Sequence, residues 1–68
     1  SVEVDEVLAI LFDLSSRGIT IIMVEHIMRA IMRFSQRVLC LDAGCLVAEG
    51  TPEHIVSDPN VGRVYLGA

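Results

Sequence analysis

The chain has 68 residues, 53% of them hydrophobic, and a formal net charge of −4. That length makes one small domain, residues 1–68, which buries only about 60% of the surface its unfolded form exposes, and a net negative charge repels phosphate backbones, so nucleic-acid binding is excluded as a function class. No apolar run nears the roughly 18 residues of a membrane span, and the opening Ser1-Val2-Glu3-Val4-Asp5-Glu6 is acidic where an export signal is basic, so the expected location is cytoplasmic, with the membrane reached only indirectly.

Val4, Val7, Leu8, Leu11 and Leu14 recur at steps of three and four, with Glu3, Asp5, Glu6 and Asp13 largely opposite, which predicts an amphipathic helix from Val2 to Ser16. Ser1 suits its N-cap, the acids of the first turn suit the helix dipole, and Gly18 suits a left-handed stop just past Arg17. Ile19 to Val24 follows as a β-branched run, apolar on both faces, and is expected to be an interior parallel strand. It ends at a Glu25-His26 corner, after which Ile27, Ala30, Ile31 and Phe34 mark a second helix ending near Gln36.

Val38-Leu39-Cys40-Leu41 and Cys45-Leu46-Val47-Ala48 flank Asp42-Ala43-Gly44 and are expected to form an antiparallel hairpin. Gly50-Thr51-Pro52-Glu53 is a helix start: threonine caps, proline fits the first helical position, and glutamate favours the positive end. That helix runs to about Ser57, Asp58-Pro59 stops it, and Asn60 to Leu66 form a last turn with Val61, Val64, Tyr65 and Leu66 as a docking stripe.

The chemistry concentrates at Glu25-His26, because α/β proteins place their sites at the carboxyl ends of buried strands. Taken alone, a histidine after a strand is more often a satisfied turn residue than a catalyst, and Glu25 has no metal, nucleophile or second carboxylate within sequence range. Cys40, Cys45, His26 and His54 carry zinc-ligand atoms, but Cys-x4-Cys with one distant histidine fits zinc spacing poorly, so the expectation is no metal site. A hairpin register placing the cysteines opposite each other would reopen a disulfide. Arg29, Arg33 and Arg37 form a basic stripe whose default reading is a solvated helix face, and Met23, Met28 and Met32 are read as core or interface filler.

Val24-Glu25-His26-Ile27-Met28-Arg29, the hairpin segment Val38-Leu39-Cys40-Leu41-Asp42-Ala43-Gly44, the run Glu49-Gly50-Thr51-Pro52-Glu53 and the ending Val64-Tyr65-Leu66-Gly67 together resemble the C-terminal end of ABC transporter ATP-binding subunits, in particular those of branched-chain amino acid importers. Ile27 stands where an aspartate commonly follows the histidine in that family, and Cys45 where a charged residue is usual. The resemblance implies an α/β fold, a partial P-loop NTPase-like ABC ATPase region in the order helix, strand, helix, hairpin, helix. It also implies that His26 is the switch histidine that contacts the γ-phosphate of ATP.

The family's other nucleotide-binding parts do not occur in these residues. The chain contains no lysine and no G-x-x-x-x-G-K-[ST] run, so it cannot build the cradle that grips the β- and γ-phosphates. The isolated chain is therefore expected to bind no cofactor and to be no enzyme, although ATP and magnesium serve the parent family. Its positive mean hydropathy, +0.62, and an Ile19–Val24 run lacking neighbouring strands predict self-association, a homodimer foremost, with transporter subunits as the other partners. The alternative role is a stand-alone self-associating interaction protein derived from such a fragment.

Overall fold

A computed structural model describes residues 2–65; Ser1, the Tyr65 side chain, Leu66 and Gly67, which carry part of the expected capping and docking, lie outside that description. The chain forms two compact units, Ser1–Phe34 and Ser35–Ala68.

The first unit holds α1 (Val2–Ser16) and α2 (Met28–Phe34). Glu3 and Asp5 occupy the first turn of α1, where the positive helix end stabilises them. Leu8 on α1 and Ala30 and Phe34 on α2 form the buried cluster, with Val4 and Leu11 packed beside it. Val7, assigned to the inner stripe by its spacing, is 54% exposed, because the contact face of a 7-residue partner helix is narrower than the stripe. The rings of Phe12 and Phe34 meet edge to face with centroids 5.1 Å apart, a geometry that pairs a positive ring edge with a negative face. Gly18, at φ 87°, closes α1 by donating its N–H to Ser15 O over 3.0 Å.

The expected strand at Ile19–Val24 is not formed. The sheet among the described residues is the two-stranded β1-β2 hairpin, and residues 19–27 belong to no helix or strand. Their burial nonetheless alternates: Ile21, Met23, Glu25 and Ile27 are half-buried, while Ile22 and Val24 are 92% and 96% exposed. This is the period-two pattern of an extended chain. The β-branched run shapes the segment, but a strand also needs neighbours for its main-chain groups, and the described residues supply none. Ile21, Met23 and Ile27 pack against the Leu8, Ala30 and Phe34 cluster. The second helix is shorter than expected, ending at Phe34.

The second unit holds β1 (Val38–Asp42), β2 (Cys45–Gly50), α3 (Pro52–Ser57) and α4 (Pro59–Tyr65). The strands pair antiparallel from Val38 opposite Gly50 to Asp42 opposite Cys45, and the register shifts after Cys40, leaving Val47 as the extra residue of a bulge. Ala43 and Gly44 both have positive φ, 50° and 80°, the pattern of a two-residue type I′ turn whose twist matches the strands it joins. Val38 and Cys40 point inward and are buried with Ile55 of α3 and Val61 of α4. Thr51 caps α3 as expected: its side chain accepts from the His54 N–H at 3.2 Å, with Pro52 in the first turn. Asp58 then serves two helices, donating its N–H to Ile55 O at the end of α3 and accepting from the Asn60 N–H through Oδ1 at 2.8 Å to start α4.

Candidate functional site

The Glu25-His26 corner lies between the extended segment and α2, where Ile27 O accepts the first helical hydrogen bonds, from Ala30 N at 3.1 Å and Ile31 N at 3.2 Å. Glu25 Oε1 accepts the main-chain N–H groups of His26 at 2.8 Å and Ile27 at 3.2 Å. Those two donors, His26 first, hold the Glu25 carboxyl below its ordinary pKa, partial burial opposes them, and the His26 ring adds a small further lowering. Such a carboxylate holds a proton less readily than an ordinary glutamate. Its structural role is plain: it turns the chain from the extended segment into α2 and satisfies main-chain donors at that bend. Sequence reasoning weighed Glu25 as a catalyst, whereas its observed contacts are local main-chain ones.

His26 projects outward, with a side chain 94% exposed and its Nδ1 3.3 Å from Glu25 Oε1. An imidazole placed this way can donate to or accept from an incoming group. Between α1 and the extended segment lies an apolar cleft of about 180 Å³, lined by Val4, Val7, Leu8, Leu11, Met23 and Ala30 with Glu3 and Glu25 beside them. It is smaller than the roughly 300 Å³ at which small-molecule pockets begin, and two carboxylates make it a poor seat for a polyphosphate.

The basic stripe is not simply solvated. Arg29 and Arg33 both reach Asp5 Oδ1, at 2.9 Å and 3.0 Å, tying α2 to the first turn of α1. Asp5 lies 24 and 28 residues away along the chain, so local spacing carried no sign of the pairing. Arg37 departs from that cluster and lies 3.5 Å from Glu49. All of these groups are largely exposed, so each pair contributes only about 0.2–1 kcal/mol.

Cys40 and Cys45 are free; Cys40 pairs with Ala48 and Cys45 with Asp42, so the register does not bring the two thiols opposite each other. Burial, and secondarily the nearby Asp58 charge, push the Cys40 pKa up, which keeps it a neutral core thiol. His54 Nε2 lies 3.9 Å from Asp58 Oδ2 at the end of α3, and its ring lies over Gly50, where an added Cβ would come within 2.8 Å of Cδ2. Among the described residues, no three His, Cys, Asp or Glu side chains gather as a metal cluster, and no helix is long and apolar enough to cross a membrane.

No protein-family model and no solved structure matches the chain. Curated proteins do. The chain is 40% identical over 65 residues to the high-affinity branched-chain amino acid transport ATP-binding protein LivG of Escherichia coli, a match covering 96% of this chain and 25% of that one. The chain is homologous to a segment of ABC transporter ATP-binding subunits. Within them it is 35% identical over 66 residues to the branched-chain amino acid transport protein BraF of Pseudomonas aeruginosa, covering 96% of this chain and 26% of that one. It is also 35% identical over 66 residues to the lipopolysaccharide export system ATP-binding protein LptB of Haemophilus influenzae, covering 97% and 27%. The chain thus spans about a quarter of the length of the curated ABC subunits it matches. Its helices and hairpin accord with a partial ABC ATPase region.

Proposed function

We propose that the chain is the C-terminal portion of the ATP-binding subunit of a branched-chain amino acid ABC importer, catalytically incompetent in isolation and acting at the cytoplasmic face through transporter subunits. The observation that carries this reading is the 40% identity to LivG along nearly the whole chain. The exposed imidazole of His26, at the end of an extended apolar segment, supports its assignment as the contact to the ATP γ-phosphate. In that role it donates a hydrogen bond to a phosphate oxygen and helps place the attacking water, while Glu25 holds the corner that presents it.

The residues present do not by themselves fit magnesium or a nucleoside triphosphate: a lone imidazole stands beside a carboxylate, without lysine. One charge-assisted hydrogen bond supplies about 1.5–3 kcal/mol, less than the roughly 4 kcal/mol of even millimolar binding. The phosphate loop, the metal ligands and the catalytic glutamate of this reading belong to other sequence.

The decisive experiment replaces the matching segment of E. coli LivG with this chain and measures ATP hydrolysis of the chimera beside that of the 68-residue chain. The chimera is expected to hydrolyse ATP, with His26→Ala lowering turnover about 100-fold, as loss of a transition-state donor does. An undiminished His26→Ala chimera refutes the phosphate role. Turnover by the short chain alone refutes its incompetence.

A second reading has its own support. Ile22 and Val24 stand almost wholly in solvent along a segment with no strand neighbour among the described residues, which favours a self-associating interaction protein that uses this surface to form a homodimer.

A further inference from the structure

The helix that follows His26, α2, has 7 residues, fewer than an isolated helix needs to persist in water, so its course depends on what it docks against. Two of its own features oppose it. Its first turn carries Arg29 and no acid, which sets a cation at the positive helix end, and Arg29 and Arg33 are like charges one turn apart on the same side. Asp5, in the first turn of α1, answers both: its Oδ1 accepts from Arg29 Nη1 at 2.9 Å and from Arg33 Nη1 at 3.0 Å.

The apolar cluster and these ion pairs act differently. Leu8 against Ala30 and Phe34 holds α2 to α1, but apolar burial is non-directional and resists rotation of a short helix about its own axis only weakly. A carboxylate that bridges two guanidiniums one turn apart selects which side of α2 faces α1, because a rotation by one residue turns each side chain through about 100° and takes both arginines away from Asp5. That orientation reaches His26. Ile27 O accepts from the Ala30 and Ile31 N–H groups, so the first helical hydrogen bonds of α2 begin one residue after the imidazole. Glu25 shapes the corner locally, through the main-chain N–H groups of His26 and Ile27, whereas Asp5 supplies a directional link from α2 back to α1.

We propose that Asp5 is a positioning residue for His26: by bridging Arg29 and Arg33 it sets the orientation of α2 on α1, and so the place from which the imidazole meets the γ-phosphate. This rests on the phosphate role of His26 proposed above. Asp5 itself touches no reacting group and acts through α2.

The test uses the E. coli LivG chimera that carries this chain and measures kcat and KM for ATP. Asp5→Asn should lower kcat about fivefold and change KM by less than about twofold, since a misplaced donor loses transition-state stabilisation rather than ground-state binding, and exposed ion pairs are individually weak. In a His26→Ala background the same substitution should have no further effect, whereas general loosening of the unit would lower turnover in both backgrounds. Combining Asp5→Arg with Arg29→Asp and Arg33→Asp should recover most of the lost turnover, because both bridges form again with the charges exchanged. Undiminished turnover in Asp5→Asn, or equal losses with and without His26, overturns the positioning role and leaves the phosphate role standing. Undiminished turnover in His26→Ala overturns the phosphate role and this proposal with it. Amide exchange at Ala30 and Ile31 is read in the folded chimera whether or not it hydrolyses ATP: Asp5→Asn should speed it about fivefold, and unchanged exchange overturns the hold of Asp5 on α2.

Discussion

The two units contain the same kind of apolar, β-branched sequence and treat it differently. In Ser35–Ala68, Val38–Asp42 finds Cys45–Gly50 across a two-residue turn, its inward residues are buried, and α3 and α4 pack on β2. In Ser1–Phe34, Ile19–Val24 packs on one side against the helices but has no second strand among the described residues, and Ile22 and Val24 on its other side are in solvent. β-Propensity thus produces an extended backbone in both places and a sheet in only one. The difference lies in where a hydrogen-bond partner is encoded: two residues away in the hairpin, and nowhere among the described residues for the other segment.

The strongest way to break this contrast is to empty the hairpin's core. Ile55 is 1% exposed on α3, which packs against β2, and Ile55→Ala should destabilise its unit by about 2–5 kcal/mol through the cavity it leaves. Amide exchange in the β1-β2 ladder checks this: the ladder should lose its protection and exchange as residues 20–24 do in a monomer. Retained ladder protection would mean that the turn and the ladder, rather than Ile55, hold the hairpin.

A smaller effect is expected at the helix start that follows the hairpin. Thr51→Ala removes the acceptor of the His54 N–H and should cost about 1 kcal/mol by denaturant melting, whereas Thr51→Ser should cost little. Equal losses in both variants would show that the threonine methyl, not the cap, matters.

The smallest expected effect sharpens the other side of the comparison. The Glu25 pKa is lowered on folding, so its contribution to stability is complete above the unfolded value and is lost as pH falls through the lowered folded value. Acid titration should therefore loosen the corner and the start of α2 in the wild type, followed by amide exchange at Ile27, and Glu25→Gln should flatten that dependence. An unchanged pH profile in Glu25→Gln would remove the carboxylate from the account of the corner.

The features legible in the sequence are those whose causes lie within a few residues. The start of α1 and its glycine stop, the hairpin around Ala43-Gly44, the Thr51-Pro52 helix start and the break at Asp58-Pro59 all follow from local sterics and local hydrogen bonds. The Glu25-His26 corner was legible as the turn into α2 for the same reason, and the curated relatives that match nearly the whole chain are ABC transporter ATP-binding subunits. The double duty of Asp58 as stop and cap escaped notice because the proline beside it already explained the break.

Tertiary structure decided what depended on distant groups. Pairing of Asp5 with Arg29 and Arg33, the Phe12–Phe34 contact and the exposure of Val7 depend on where α2 docks, a fact no window around any of them contains. Ile19–Val24 is the clearest case. Side-chain type and periodicity set its extended course, but a strand is a relation between two stretches of main chain, and only the folded structure revealed that this chain's described residues supply one of the two.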